Sequence, residues 1–231
     1  MLSLVFAMAA QTAAPAVAVP VEYERAGGSG TLTITPGPNG LRRFGLSTFG
    51  ANAHTCELGG TIKDNIGTLY DNEPGQPQCR ISFRQRGDVI DVTAVSYEAC
   101  MGLCGARATF EGKYQLPPEA CKQAAARSTR ERFGALYKAK QYQQAYDTLH
   151  GWFVQCSGLL HWMEADRARN DMAITQYHLK RPAACLQTLS ATYAAPLKSM
   201  AAVEEDLPPM DFEAYASTAK ATFHNLKLCA K

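Results

Sequence analysis

Ala106-Arg107-Ala108-Thr109-Phe110-Glu111-Gly112-Lys113-Tyr114-Gln115-Leu116-Pro117-Pro118-Glu119 is the stretch where this chain changes its hydrophobic period. Up to Tyr114 the pattern alternates, with Ala108, Phe110 and Tyr114 on one side, as a half-buried strand requires. Beyond Pro117 the apolar residues recur at helical spacing, first Phe133, Leu136 and Tyr137, then Tyr142, Ala145, Tyr146 and Leu149. Pro117-Pro118-Glu119 has the composition of a helix start, with proline in the first turn and an acid at the positive end of the dipole. The predicted fold class is therefore α+β. A small antiparallel β barrel or sandwich over residues 19–115 precedes an α-helical domain over residues 117–231.

Upstream of the change the chain reads as a meander. Thr31-Leu32-Thr33-Ile34-Thr35 alternates and Pro36-Gly37-Pro38-Asn39-Gly40 turns it. Phe44, Leu46 and Thr48 share the face of the next run, and His54 to Ile62 follows with Cys56, Leu58 and Gly60 on one side. Gln78 to Gln85 aligns Cys79, Ile81 and Phe83, Arg86-Gly87 turns into Val89 to Val95, and Ala106 to Tyr114 is the expected closing strand. Short alternating runs separated by Gly, Pro and Asn are the signature of a small barrel or sandwich. Gly27-Gly28-Ser29-Gly30 precedes a strand rather than a helix, so it reads as a linker and not as a phosphate cradle.

Downstream, Lys138-Ala139-Lys140-Gln141 makes a tight turn between two helices. A second pair runs from Trp162 to Leu179 and from Ala183 to Tyr193, broken at Lys180-Arg181-Pro182. Pro196 and Pro208-Pro209 bracket an expected loop, and Asp211 to Leu228 forms a last helix. Hairpins recurring about every 40 residues point to a repeat array.

Phe133-x2-Leu136-Tyr137-x4-Tyr142-x2-Ala145-Tyr146-x2-Leu149 resembles a tetratricopeptide repeat, and the segment from Asn170 through Tyr177, Pro182, Cys185 and Leu186 resembles a degenerate second copy. The family's opening Trp and Leu-Gly are absent. The resemblance implies stacked helical hairpins with a concave groove for a peptide or helix. The β half more distantly resembles small proteobacterial cell-envelope domains of the lysozyme-inhibitor type, through His54-Thr55-Cys56-Glu57-Leu58-Gly59-Gly60 and Cys100-Met101-Gly102-Leu103-Cys104-Gly105-Ala106-Arg107. No inhibitory residue carries over.

Leu2 to Ala10 is an apolar run followed by small residues ending at Ala16-Val17-Ala18, the layout of a secretory leader with cleavage after Ala18. Residues 1–18 are thus an expected signal peptide, although the usual basic n-region is missing. All eight cysteines, Cys56, Cys79, Cys100, Cys104, Cys121, Cys156, Cys185 and Cys229, lie beyond that point. An even count in an exported chain predicts disulfides and a periplasmic or secreted location. With a turn near residue 140, Cys121 and Cys156 fall at the open end of one hairpin, and Cys185 and Cys229 meet at the ends of antiparallel helices. Cys56–Cys79 and Cys100–Cys104 are the expected bridges of the β half, although sequence alone leaves other connectivities open. A four-thiolate zinc site from the same four cysteines is the competing reading in a reducing compartment.

Twenty-three basic and 21 acidic side chains leave a formal charge of +2. That balance gives no broad electrostatic footprint for nucleic acid or anionic lipid. No run after the leader has the length and hydropathy of a membrane span. The five histidines form no H-E-x-x-H, and no G-x-S-x-G elbow or P-loop occurs. His54 with Glu57 is the residual catalytic pairing of the β half. Arg86-Gly87-Asp88 has the composition of a hairpin turn, and Arg127, Arg130, Arg132, Lys138 and Lys140 read as a solvated face or an acidic partner's landing site. Tyr137, Tyr142, Trp152 and Trp162 belong to an aromatic-rich stretch in which one or two rings could face a groove, so they are the candidate partner-binding residues.

The expectation is a non-catalytic, exported protein-binding module of the bacterial envelope, with a protein or peptide partner and no cofactor. The alternative is an inhibitor of lysozyme or another secreted hydrolase acting through the β domain.

Overall fold

The computed structural model describes residues 19–70 and 75–231. The expected leader, residues 1–18, lies outside the described residues. Eight antiparallel strands form a closed barrel in simple chain order: β1 (Val21–Arg25), β2 (Gly30–Pro36), β3 (Arg42–Phe49), β4 (Thr55–Lys63), β5 (Ile66–Leu69), β6 (Arg80–Arg86), β7 (Val89–Ala94) and β8 (Gly112–Gln115). β8 pairs with both β7 and β1, so no strand edge is left open. Alternation decides what points inward. Leu32, Ile34, Phe44, Leu46, Ile62, Phe83 and Val92 are buried, while Thr31, Thr33 and Thr35, alternating with Leu32 and Ile34, lie on the other face. Each such side chain contributes about 1.5–3 kcal/mol on burial. The barrel interior is a filled core.

Two hairpins are set by their turns. Lys63 pairs with Ile66, and Asp64 and Asn65 both adopt positive φ, 51° and 62°, as a two-residue primed turn demands. Arg86 pairs with Val89, which puts Arg86-Gly87-Asp88 at a hairpin tip.

Three expectations for this half need correction. β1 and β5 are strands that the sequence reading does not contain, and Gly27-Gly28 is the β1–β2 turn rather than a linker. The closing strand is only Gly112–Gln115. Residues 104–110 instead lie across one end of the barrel, held by Gly105 N–H to the Thr55 carbonyl at 2.9 Å, with Phe110 buried beneath. The bridges Cys56–Cys79 and Cys100–Cys104 do not form. β5 stands between β4 and β6, so Cys56 and Cys79 are not on neighbouring strands, and the bonds are Cys56–Cys104 and Cys79–Cys100. Both staple the segment 95–109, with its short helix α1 (Tyr97–Cys100), to the barrel.

The helical half comprises α2 (Gln123–Lys138), α3 (Tyr142–Cys156), α4 (Trp162–His178), α5 (Pro182–Ser190), α6 (Met200–Asp206) and α7 (Pro209–Cys229). Pro118 to Cys121 forms a single 3₁₀ turn, so α2 starts four residues after Glu119. The two hairpins repeat one turn in atomic detail. Lys140 and Lys180 both take φ 59°, and their amides donate to the carbonyls of Tyr137 and Tyr177 at 3.0 Å. The next amides, Gln141 and Arg181, reach back to Leu136 and Gln176 at 3.0 Å. These bonds satisfy the orphan carbonyls at the helix end. The expected loop between Pro196 and Pro208 contains α6, capped by Ser199, whose hydroxyl accepts from the Ala202 amide at 3.1 Å.

Cys121–Cys156 staples the first hairpin and Cys185–Cys229 ties α5 to α7, as their spacing predicts. Between α4 and α7 the core is polar as well as apolar. Buried Asp166 accepts from the Tyr215 hydroxyl and the Tyr193 amide, both at 2.7 Å, and pairs with Arg169 at 2.8 Å. The four bridges are the chemistry of an oxidising, extracytoplasmic compartment. Among the described residues no helix is long and apolar enough to cross a membrane.

Candidate functional site

The barrel and the helices are docked at defined points. At the β1–β2 turn, the Gly27 amide donates to the Gly158 carbonyl at 2.8 Å, and Gly28 lies against the backbone of Leu159, Leu160 and His161. Beside it, the Phe49 and His161 rings meet with centroids 5.4 Å apart. Close by, Asn52 and α7 exchange bonds. The Asn52 amide donates to both Asp211 carboxylate oxygens at 3.1 Å, and the Asn52 side-chain oxygen accepts from the Met210 amide at 3.3 Å. A barrel loop thus supplies the end-cap of a helix in the other half. Half-buried His161 has its pKa lowered, chiefly by desolvation, with nearby Arg167 acting in the same direction.

This docking frames a cleft of about 480 Å³. One wall is β1 and its turn, through Glu24 and Gly28. The opposite wall is the N-terminal half of α2, through Ala126, Arg127, Arg130 and Glu131, and Glu164 of α4 closes one side. Its apolar lining comes from Trp152, Leu159, Leu160 and the Cys121–Cys156 bridge. A volume of this size is in the ordinary range of ligand sites.

Three features give the cleft its chemistry. Trp152 is 4% exposed, and its indole N–H makes no hydrogen bond among the described residues. Buried donors are nearly always paired, so this N–H is an exception among them. Arg130 lies over the Trp152 ring, 5.3 Å from its centroid, and forms an ion pair with Glu164 at 3.7 Å. With both partners about 40% exposed, that pair contributes only about 0–1 kcal/mol. The Glu24 carboxyl has its pKa raised, first by burial and then by the negative charges of Glu22 and Glu164.

The candidate partner-binding residues do not converge. Tyr137 and Tyr142 meet at the hairpin turn with ring centroids 5.5 Å apart, and Tyr142 stacks on His178 at 4.4 Å. His178 Nε2 is 3.0 Å from the Tyr137 hydroxyl. Trp162 lies elsewhere, against Tyr193 and Tyr215 at 4.9 and 4.8 Å. Of the four, only Trp152 lines the cleft. Of the basic residues, Arg127 and Arg130 line it, whereas Arg132 lies with Asp147 along another groove.

His54 rests against Gly105 at the barrel end, and Glu57 faces outward beside Ser47 and Gly59. The thiolate reading of the β-half cysteines gives way to two bridges, and no cysteine is free among the described residues.

A second surface stands out. The doubly stapled segment 95–109 exposes Val95, Tyr97, Met101 and Leu103, and Tyr97 and Met101 line a hollow of about 370 Å³ there.

Glu24 is not among the residues singled out from sequence, and Gly28 is read there only as part of a linker. Their signal was the alternation of Val21-Glu22-Tyr23-Glu24-Arg25, in which Tyr23 alone is buried, followed by two glycines that both adopt positive φ. No family model, no curated protein and no solved structure matches the chain.

Proposed function

We propose that this chain is a non-catalytic binding protein of the bacterial envelope, periplasmic or secreted, which holds a segment of a partner protein in the cleft between barrel and helices. The observation that carries this reading is the cleft itself. It is built jointly by two docked halves, bordered by the Cys121–Cys156 bridge, and lined by Trp152, whose buried indole N–H has no partner among the described residues. Extended peptides offer a carbonyl acceptor at every residue. The repeated hairpin supports a tetratricopeptide-like reading of the helical half, although Lys180 follows Lys140 by 40 positions, against about 34 for that family.

A photo-crosslinker at position 127, expressed in the natural host, should capture a discrete envelope protein, and Glu24→Lys should abolish the capture. Capture that is indifferent to Glu24→Lys, or obtained only from position 101, would sink this reading.

The exposed apolar segment 95–109 favours the alternative, an inhibitor that inserts this loop into a hydrolase cleft. Two bridges hold the loop in shape before binding, which lowers the ordering cost. Undiminished lysozyme activity on cell walls at micromolar protein removes that alternative for lysozyme.

A further inference from the structure

We infer that the segment held in the cleft presents a lysine or arginine side chain to Glu24, an inference that rests on the peptide-binding reading above. Glu24 is half-buried, and its carboxylate accepts no hydrogen bond and joins no ion pair among the described residues. Removing a carboxylate even partly from water costs free energy that a paired cation would offset. Here the neighbouring charges, Glu22 and Glu164, are of the same sign and make its ionisation harder. The cleft therefore contains an unmet demand for a cation.

One cation of the cleft is already engaged. Arg130 is shared between the Trp152 ring and Glu164. Arg127 lines the same wall, exposed and without an ion pair among the described residues, and can donate to a peptide carbonyl. Counting all the charges, Glu24, Glu131 and Glu164 face Arg127 and Arg130, so an acidic segment would meet a net negative cleft.

The remaining walls select the rest of the ligand. Leu159, Leu160 and the Cys121–Cys156 bridge offer apolar surface for a methylene stem, the way long basic side chains bury their shafts while the head stays polar. The Trp152 N–H is a donor only, so its partner must be an acceptor. Arg130 lies over the Trp152 ring and is held otherwise only by a loose ion pair, so it can shift to admit a ligand. A cationic head, an apolar stem and a carbonyl close together describe one residue of a peptide, a lysine or an arginine.

The test uses the full oxidised chain with Trp162→Phe, which leaves Trp152 as the one tryptophan of the two in the sequence. Its fluorescence is titrated with blocked tripeptides of alanine flanking lysine, arginine, norleucine or glutamate. Calorimetry on the unaltered chain repeats the ranking, so that a poorly folded variant cannot decide the matter. Lysine and arginine peptides should bind about tenfold more tightly than norleucine, and Glu24→Gln should erase that advantage while leaving the norleucine peptide unchanged. Equal binding of the lysine and norleucine peptides overturns the basic preference and leaves the peptide-binding reading standing. No response to any of the four peptides up to ~10 mM by either method overturns both.

Discussion

Gly27 and Gly28 provide a matched pair for testing the docking of barrel on helices. Both lie in the left-handed region, at φ 80° and 63°, so alanine at either costs about 1–2 kcal/mol of backbone strain. Their surroundings differ. A Cβ on Gly27 meets nothing within 4 Å, whereas one on Gly28 would stand 2.2 Å from the His161 nitrogen and 2.5 Å from the Leu160 carbonyl carbon. Those are backbone atoms, so no side chain can swing away and the two halves must part. Relieving the overlap costs about 1–3 kcal/mol, and losing the Gly27–Gly158 bond about 1 kcal/mol more. Gly28→Ala should therefore exceed Gly27→Ala by about 2–4 kcal/mol. In a chain of this size that separates the two melting temperatures by roughly 4–16 °C. Scanning calorimetry of both oxidised variants measures it, and small-angle scattering reports whether Gly28→Ala lengthens the molecule. Melting within a degree of each other, with unchanged radii of gyration, would refute the docking geometry.

Replacing Cys121 and Cys156 together by serine frees a loop spanning 35 positions and should cost about 4 kcal/mol in a guanidinium titration; a loss under 1 kcal/mol contradicts the brace. Tyr215→Phe removes a donor from buried Asp166 and should cost about 1.5–3 kcal/mol; a neutral change would mean that the polar α4–α7 contact is dispensable. The Tyr215 phenol has its pKa raised well above the usual value, first by desolvation and then by Asp166. Its contribution should be complete below about pH 10 and lost as pH rises further, and an alkaline unfolding midpoint that Tyr215→Phe leaves in place argues against this. His161 has its pKa lowered, so its stabilising contribution is present above about pH 6.5 and lost on acidification through the lowered value. Protection factors of the amides at residues 27–28 and 158–161, which correct for the intrinsic pH dependence of exchange, should fall in that window, and His161→Gln should flatten the response; pH-independent protection factors speak against it.

The fold was legible where local chemistry sets it. Lys138-Ala139-Lys140-Gln141 announces a turn between two apolar helical stripes, and the turn forms with Lys140 in the left-handed region. The bridges of the helical half follow from rise per residue alone. The β half was harder because β5 is four residues, Ile66–Leu69, with one glycine, too short to register as an alternating run. Its omission made Cys56 and Cys79 look like neighbours and misdirected both bridges. The turn signal at Asp64-Asn65 was the available clue. α6 hid between prolines for a similar reason, its Ser199 cap being the only local sign. The cleft was legible only in pieces: Trp152, Arg127 and Arg130 stood out in the sequence, but nothing there joined them to Glu24. Glu24 and Glu164 stand on different halves, and the aromatic-rich stretch that contains Trp152 does not disclose that its buried N–H lacks a partner.

The measurement that bears most directly on this account is disulfide mapping by mass spectrometry, under non-reducing conditions, of the chain purified from its natural host. The predicted result is four bridges confined within their own halves: Cys56–Cys104 and Cys79–Cys100 in the barrel, Cys121–Cys156 and Cys185–Cys229 among the helices. A bridge joining the two halves, or free thiols at any of these pairs, would contradict it.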